Sequence, residues 1–279
     1  MGSSDGPRFG ARFKLTLLTS DPALAAAADA AGVDRIGLDI ERIGKAERQQ
    51  AHPTARISPH QLADLAILRG HVRKAGLFCR LDGPHPGSRA QVERALDLGA
   101  DSLMLPFFRE IDEAAAFADA VAGRAEVILL VETVSAAWRI QQLAEIDGVD
   151  EIMVGLNDLA WDSGAASRFE LLTSPLLAAL GEAARAAGKR FTVGGLGRWD
   201  DDRLPTSPDL IYAQYPRLAA EGAWIARSFL DGVAPDGLGD AVDRLRARLD
   251  HWAAAGPPAW EDARRALSAH ARAAGDQGH

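Results

Sequence analysis

Acidic side chains follow two apolar segments of the sequence, in positions where they could bind a metal ion. Glu132 comes directly after the apolar run 128–131, and Asp158 follows the next apolar segment within Gly155-Leu-Asn-Asp. A carboxylate at the end of such a run is costly to bury unless a positive charge meets it. Two carboxylates with water and substrate oxygens are a usual ligand set for Mg²⁺ or Mn²⁺. We therefore predict that Glu132 and Asp158 bind one divalent cation.

A basic residue ends another apolar segment. Arg80 closes the run 76–81, and its planar guanidinium could bind a carboxylate or the oxygen of a forming enolate. The alternative is that Arg80 simply pairs with Glu132 across the site. Asp39 and Glu41 follow an earlier apolar segment, and they complete the predicted group of charged residues.

Other residue patterns argue against rival chemistries. The four lysines avoid the ends of the apolar segments, where a Schiff-base amine would be expected, so Lys45 is the sole candidate for imine chemistry. The seven histidines show no metal-site spacing, and no Gly-x-Ser-x-Gly elbow occurs. The single cysteine, Cys79, excludes internal disulfides and thiolate metal clusters and is expected to be a core residue.

The segments that position these residues alternate between strand and helix patterns. The expected strands span 13–18, 34–38, 76–81, 101–105, 126–131, 151–154, 190–193 and 222–226. The expected helices span 22–31, 59–74, 88–98, 111–121, 135–145, 169–187 and 208–219. Eight such units in about 230 residues match the size of an α/β fold of the (β/α)8 TIM-barrel type. In that fold, strand ends and the loops after them build the active site.

The two ends of the chain are expected to lie outside the barrel. Residues 1–12 lack structural patterning and are expected to be extended or disordered, and residues 13–231 form the barrel. Residues 232–279 are expected to form additional C-terminal helices, because Leu238, Val242, Leu245, Leu249 and Trp252 lie at helical spacing. The stripe leaves two options open, namely packing on its own barrel or contact with another subunit.

Bulk composition limits the partners. The net charge is -8 without a long basic run, so nucleic acid and anionic membranes are not expected as partners. No apolar stretch reaches the roughly 20 residues of a membrane helix, and no signal-peptide core occurs. A soluble, cytoplasmic protein is expected.

Taken together, the motifs resemble the HpcH/HpaI aldolase and citrate lyase family, a group of phosphoenolpyruvate/pyruvate-type barrels. The similar stretches cover most of residues 13–230. They are 31–41, Arg80, GADSLMLPFFR at 99–109, LLVET at 129–133, GLNDL at 155–159, VGGLG at 193–197 and RSF at 227–229.

The resemblance implies roles for individual residues. Glu132 and Asp158 would bind Mg²⁺ or Mn²⁺, with Co²⁺ as a further candidate, and Arg80 would be the substrate-binding arginine. A 2-oxo acid would chelate the metal, with its carboxylate held by backbone N–H groups at Gly155, Leu156 and Asn157. Metal and arginine would then stabilise a pyruvate enolate. Pro106, at the end of the fourth strand, is expected to line the same substrate site.

The proton-transfer residue stays open, because one family feature is missing. Bacterial aldolases of the family carry a histidine soon after the second strand, where this sequence has Asp39-Ile-Glu41-Arg42. Asp39 and Glu41 are more similar to the citrate-lyase branch, which acts on acyl thioesters. His85, in the loop after the third strand, is a substitute candidate.

The family also implies assembly, because its members commonly exchange C-terminal helices between subunits. Asp97 matches a position that reaches into a neighbour's active site in related aldolases. A homo-oligomer, trimer or hexamer, is therefore expected, with residues 232–279 exchanged between subunits and Asp97 acting in trans.

Three functions follow as alternatives. The leading one is a metal-dependent carbon–carbon lyase or aldolase that acts on pyruvate or a related 2-oxo acid and an aldehyde. The second is an acyl-CoA ester lyase of the malyl or citramalyl kind, with Arg42, Lys45, Arg48 and Arg109 available for nucleotide phosphates. The third is a non-catalytic barrel that serves as a binding protein, which the presence of all three strand-end residues disfavours.

Overall fold

The protein folds into a barrel of nine parallel strands. In a computed structural model, which describes residues 8–45, 58–201 and 207–275, the strand order is β7-β6-β5-β4-β3-β2-β1-β9-β8. The strands are β1 (Lys14–Leu18), β2 (Arg35–Asp39), β3 (Gly76–Arg80), β4 (Ser102–Leu105), β5 (Glu126–Val131), β6 (Glu151–Val154), β7 (Arg190–Val193), β8 (Gly195–Leu196) and β9 (Gly222–Ile225). All eight predicted strands form, within about one residue of their predicted bounds, and the (β/α)8 fold class is confirmed.

The ninth strand arises because the seventh barrel position is interrupted at Gly194. This glycine has φ of 39°, so β7 pairs with β6 while the continuing chain, as β8, pairs with β9. Backbone hydrogen bonds from Glu221 to Phe191 (2.7 Å) and from Trp224 to Gly194 (3.1 Å) close the barrel across this break. β7 and β8 therefore act as one bent strand.

Helices cover the outside of the barrel. They are α1 (Phe9–Arg12), α2 (Pro22–Ala30), α3 (Asp64–Arg69), α4 (Ser88–Asp97), α5 (Ile111–Val121), α6 (Val134–Trp138), α7 (Ile140–Ala144), α8 (Leu156–Ser163), α9 (Arg168–Thr173), α10 (Pro175–Ala186), α11 (Asp209–Tyr212), α12 (Gln214–Arg217), α13 (Arg227–Leu230) and α14 (Leu238–Gly275). Asp21 caps α2 as expected, because its side chain accepts hydrogen bonds from the backbone of Ala23 and Leu24.

Several predicted helices are shorter or broken. The predicted helix 169–187 is divided at Ser174, because Pro175 has no N–H and Ser174 caps the second half by accepting from Leu177. The predicted helices 135–145 and 208–219 are likewise each divided into two. The predicted helix 59–74 is limited to α3. Before it, Ser58 and His60 form hydrogen bonds with Asp39 instead. Helix α8 was not predicted.

Apolar side chains fill the barrel interior and the layer between strands and helices. The interior contains Phe78, Met104, Ile128, Leu130 and Met153. Cys79 faces the outer layer and is fully buried, as predicted. Near the strand starts, Arg35 and Glu151 add a buried ion pair, with Arg35 Nη2 2.6 Å from Glu151 Oε2.

The C-terminal helix packs on its own barrel. Within α14, Gly256 breaks the helix with φ of 79°, just before the predicted second helix at Pro258. The helix contacts α1, α9, α11 and α12. Four residues of the predicted stripe are at most 1 % exposed within one chain, namely Leu238, Val242, Leu245 and Leu249. Burial of this stripe therefore does not require exchange between subunits.

The N-terminal prediction is corrected in part. Residues 9–12 form a helical turn, α1, held against α14 because Arg246 donates hydrogen bonds to the carbonyls of Gly10 and Phe13. Residues 1–7 lie outside the described residues, as does Arg48. Across the described part of the chain, the helices are too short or too polar to cross a membrane.

Candidate active site

Asp39 and Arg80 form the centre of a charged cluster at the carboxyl ends of the strands. They are direct neighbours in the register between β2 and β3. The Arg80 guanidinium donates from Nε to Asp39 Oδ1 (2.9 Å) and from Nη2 to Asp39 Oδ2 (2.7 Å). The flat face of the guanidinium lies against the ring of Trp224, with the central carbon 4.8 Å from the ring centroid. The two-pronged contact fixes the orientation of Arg80.

This pairing decides the charge of both groups. Burial on its own would raise the pKa of Asp39, but the charge and hydrogen bonds of Arg80, with help from Lys45, lower it well below its usual range. For Arg80, burial opposes the charged form, yet Asp39 and Glu41 raise its pKa above the usual value. Asp39 is therefore a carboxylate and Arg80 a guanidinium throughout the neutral pH range.

Three further side chains, Lys45, Glu41 and Glu132, complete the cluster around this pair. Lys45 Nζ lies 2.8 Å from Asp39 Oδ2 and 3.4 Å from Glu41 Oε2. Arg80 Nη1 lies 3.4 Å from Glu41 Oε2 and 3.9 Å from Glu132 Oε1. Arg80 therefore pairs closely with Asp39 and only loosely with Glu132, which argues against a simple Arg80–Glu132 pair. Lys45, the candidate for imine chemistry, lies in the site as an ion-pair partner.

Glu132 lies between the cluster and the start of α8. It is 3 % exposed and follows β5, while Gly155 ends the neighbouring β6 and donates its N–H to Val131. A Cβ atom on Gly155 would lie 2.5 Å from Glu132 Cγ and Oε1, so only glycine leaves room for this carboxylate. Asp158 is in the first turn of α8, three residues further on.

This arrangement fits a hard divalent cation held by few protein ligands. The described residues contain no group of three His, Cys, Asp or Glu side chains that could hold a metal. Glu132 directly follows β5, and Asp158 lies in the first turn of the helix that follows the neighbouring β6. Two carboxylates suit Mg²⁺, which keeps several waters or substrate oxygens as ligands. The residues present therefore fit the expected ion.

The predicted substrate-binding backbone lies at the start of a helix. Leu156 and Asn157 are the first residues of α8, so their N–H groups lack partners within the helix and favour a negatively charged ligand. The sequence signal for this helix was present, because Gly155 precedes it and Gly164 ends it with φ of 70°. Pro106 is buried, and its carbonyl lies beside Gly83 in the loop after β3.

One histidine near the site was missed by the sequence analysis. His60 is 8 % exposed, and its Nδ1 accepts a hydrogen bond from the Asp39 N–H (3.0 Å). Since Nδ1 is an acceptor, the neutral ring carries its proton on Nε2. Burial lowers the pKa of His60, which keeps the ring neutral. His60 is therefore built as a hydrogen-bond donor.

The substitute candidate His85 is engaged in its own loop. Its Nδ1 accepts from the Gly87 N–H (3.1 Å), and its backbone N–H donates to Ser88 Oγ (3.0 Å). The accepting nitrogen of the His85 ring is therefore already used within its own loop.

Asp97 is not brought to the cluster within its own chain. It is exposed and is the last residue of α4, which runs back from the strand ends and stops just before β4 begins. It therefore lies near the face where the strands start. A role for Asp97 in catalysis would require a second copy of the chain.

A closed parallel barrel with a buried arginine, carboxylates and a helix start at its strand ends defines a (β/α)8 barrel of the enzyme type. The sequence model of the HpcH/HpaI aldolase/citrate lyase family matches residues 12–192. The chain therefore belongs to this family, and the resemblance seen in its motifs is confirmed.

Several solved structures share the fold of this chain at low sequence identity. An HpcH/HpaI aldolase from Desulfitobacterium hafniense DCB-2 is 17 % identical, with a TM-score of 0.56, and the alignment covers 77 % of this chain and 86 % of that one. An HpcH/HpaI aldolase/citrate lyase family protein from Burkholderia cenocepacia J2315 is 19 % identical, with a TM-score of 0.60 and coverage of 85 % and 92 %. Citrate synthase SbnG is 18 % identical, with a TM-score of 0.57 and coverage of 84 % and 95 %. No curated protein sequence matches the chain.

Proposed function

We propose that the protein is a divalent-metal-dependent carbon–carbon lyase or aldolase that forms or cleaves an aldol of pyruvate or a related 2-oxo acid. The observation that carries this proposal is the geometry of Arg80. Two of its nitrogens are fixed by Asp39, and the third, Nη1, lies between Glu41 and Glu132 at 3.4 and 3.9 Å. These distances leave Nη1 able to donate to a substrate oxygen beside the carboxylates.

The residues of the chain divide the work in this reaction. Glu132 and Asp158 would hold Mg²⁺ or Mn²⁺, which acts when bound as a Lewis acid toward the 2-oxo acid. Arg80 would stabilise negative charge that develops on the keto oxygen, because its orientation is fixed before the substrate arrives. The first N–H groups of α8 would bind the substrate carboxylate. Asp39 and Glu41 keep Arg80 charged and in place.

Turnover assays with added metal test the proposal. Pyruvate with a panel of aldehydes, oxaloacetate and acyl-CoA esters should be assayed in parallel with Mg²⁺, Mn²⁺ and Co²⁺. We expect turnover of free 2-oxo acids that exhaustive chelation abolishes and that metal restores. Isothermal titration with Mn²⁺ gives a second readout, because binding should be lost in Glu132→Gln and kept in Glu93→Gln, a control at a half-exposed residue of α4. Metal-independent turnover would contradict the proposal.

The same assay separates the alternatives. Turnover of acyl-CoA esters alone would favour the thioester lyase that Asp39 and Glu41 suggest. Absence of turnover with every substrate, combined with binding of a 2-oxo acid, would favour a binding protein. Borohydride added with pyruvate should leave no covalent adduct on Lys45, since imine formation is not part of the proposed mechanism.

We also propose that the protein forms a homo-oligomer, a trimer or hexamer, in which Asp97 acts in a neighbouring site. The exposed position of Asp97 at the end of α4 supports this, because within one chain it is remote from Arg80. Light scattering measures the assembly. Asp97→Asn should lower activity and leave the oligomeric state unchanged. A fully active monomer near 29.6 kDa would contradict the proposal.

A further inference from the structure

Exposed apolar side chains lie at the barrel mouth next to the proposed metal site. Phe107 follows β4, the strand between Arg80 on β3 and the strand that leads to Glu132. Trp161 lies three residues after Asp158 on α8, and residues three apart share one face of a helix. Both aromatic rings therefore adjoin the residues that would bind metal and substrate.

Phe107 and Trp161 form, with Val134, a small surface that we call the rim patch. The two ring centroids are 6.5 Å apart and tilted by 33°. Trp161 is 41 % and Val134 44 % exposed, although most large apolar side chains of the described chain are buried. Phe107 is half-buried with φ of 49°, a conformation that costs a non-glycine residue energy and occurs mainly at functional loops. An exposed apolar surface beside a site favours contact with a ligand.

Hydrogen bonds hold the rim patch in one arrangement. Asp162, next to Trp161, accepts from Arg109 Nη2 (2.8 Å) and from the backbone N–H of Val134 (2.7 Å). Ser135 Oγ donates to the Arg109 carbonyl (2.9 Å). Three segments that follow β4, β5 and β6 are thus tied together, and a preformed surface loses little entropy when a ligand binds.

Two arginines at the rim patch are paired with carboxylates. Arg109 pairs with Asp162 and lies over the Phe107 ring, 5.3 Å from its centroid. Arg139 pairs with Glu110 at 3.2 Å. Because each of these cations already has a carboxylate partner, the surface favours an uncharged group over the phosphates of a nucleotide.

We infer that the rim patch is the subsite for the aldehyde partner, and that this aldehyde carries an uncharged aromatic or planar unsaturated group. The inference rests on the proposed function and adds the class of acceptor to it. The 2-oxo acid would occupy the space between Arg80 and Asp158, and the acceptor ring would stack on Trp161 and Phe107.

Steady-state assays with pyruvate and two aldehydes test the inference. Benzaldehyde supplies the planar ring and acetaldehyde lacks it. We expect a higher kcat/KM with benzaldehyde in the unaltered protein. Trp161→Ala should lower that value about tenfold, mainly through the KM of benzaldehyde, and change the acetaldehyde value less than about twofold. Trp161→Phe should recover most of the loss, which shows that stacking rather than folding is affected.

Ile67→Ala is the matched control, because Ile67 is 51 % exposed near the end of α3, the helix that leads back to the start of β3. It should change neither value. Equal losses with both aldehydes, no loss in Trp161→Ala, or a preference for acetyl-CoA with glyoxylate over both aldehydes would overturn the inference. Absence of any pyruvate turnover in the unaltered protein would instead refute the proposed function, and the inference with it.

Discussion

The barrel contains a buried ion-pair cluster at each end, and only one of the two lies at the strand ends, where β/α barrels build their active sites. The lower cluster, near the strand starts, joins Arg35 and Arg190 to Glu126 and Glu151, two cations with two carboxylates. Thr192 donates a further hydrogen bond to Glu151 at 2.7 Å. Arg35 reaches across the barrel from β2 to Glu126 on β5 and Glu151 on β6, and Arg190 on β7 pairs with the same two carboxylates. Such a cluster closes the end of the barrel and has a structural role.

The upper cluster, at the strand ends, has a different composition. It contains the ion pairs of Arg80 and Lys45 with Asp39, Glu41 and Glu132. It lies at the carboxyl ends of the strands, where β/α barrels build their active sites, whereas the lower cluster lies at the opposite end. The comparison teaches that burial of charge by itself does not identify an active site, and that the end of the barrel at which the charge lies is informative.

The largest expected difference between the clusters concerns their glutamates. Glu132→Gln should lower kcat at least about a hundredfold, because a metal ligand is lost, with a small effect on stability. Glu151→Gln should leave kcat of the folded protein unchanged but cost about 3 to 5 kcal/mol of unfolding free energy, since Arg35 loses its buried partner. Turnover and urea unfolding of both variants measure this. Equal effects on activity would remove the distinction.

The arginines provide the next comparison. Arg80→Lys should lower kcat on the order of a hundredfold, because an ammonium cannot hold Asp39 with two prongs and also donate to the substrate. Arg35→Lys keeps the charge of the lower cluster and should leave kcat near normal. Both variants should be assayed at saturating metal with folding checked by circular dichroism. Near-normal turnover of Arg80→Lys would show that Arg80 only balances charge.

Lys45 should contribute less than Arg80 within the upper cluster. We expect Lys45→Met to lower kcat about tenfold or less, because Arg80 still holds Asp39 by two hydrogen bonds. Lys14→Met, at a half-exposed lysine near the barrel start, is the control and should have no effect. Complete loss of activity in Lys45→Met alone would revive imine chemistry.

The smallest expected effect is the acid sensitivity of the lower cluster. Burial would raise the pKa of Glu151, but Arg35 and Thr192 lower it overall. A carboxyl group with a lowered pKa in the folded state stabilises above its unfolded pKa, about 4.3, and loses that contribution as pH falls. Between pH 6 and pH 3, Glu151→Gln should therefore lose less unfolding free energy than the unaltered protein. Parallel losses would contradict the assignment to Glu151.

The sequence predicted the strands well because their signal is local. Apolar runs such as 126–131 end in a polar residue, and this pattern fixed both the strand and the strand-end position of Glu132. Helix bounds were predicted less well where tertiary contacts override local preference. Residues 58–60 were expected at a helix start, but Ser58 and His60 instead bind Asp39.

The family and the residue types of the site were also determined by the sequence. Arg80, Glu132 and Asp158 were identified from their positions after apolar runs and from the motifs around them. These features depend on short stretches of chain. Each motif can be recognised from its own residues, without knowledge of the segments that pack against it.

Only the tertiary structure decided which of these residues are partners. Arg80 pairs with Asp39, 41 residues away, rather than with Glu132, because β2 and β3 are adjacent and in register. Distances between remote segments likewise decide three other features. They are the surface that covers the C-terminal stripe, the burial of His60 and the contact between Phe107 and Trp161. Barrel closure brings such segments together, and no local pattern in the sequence encodes their separation.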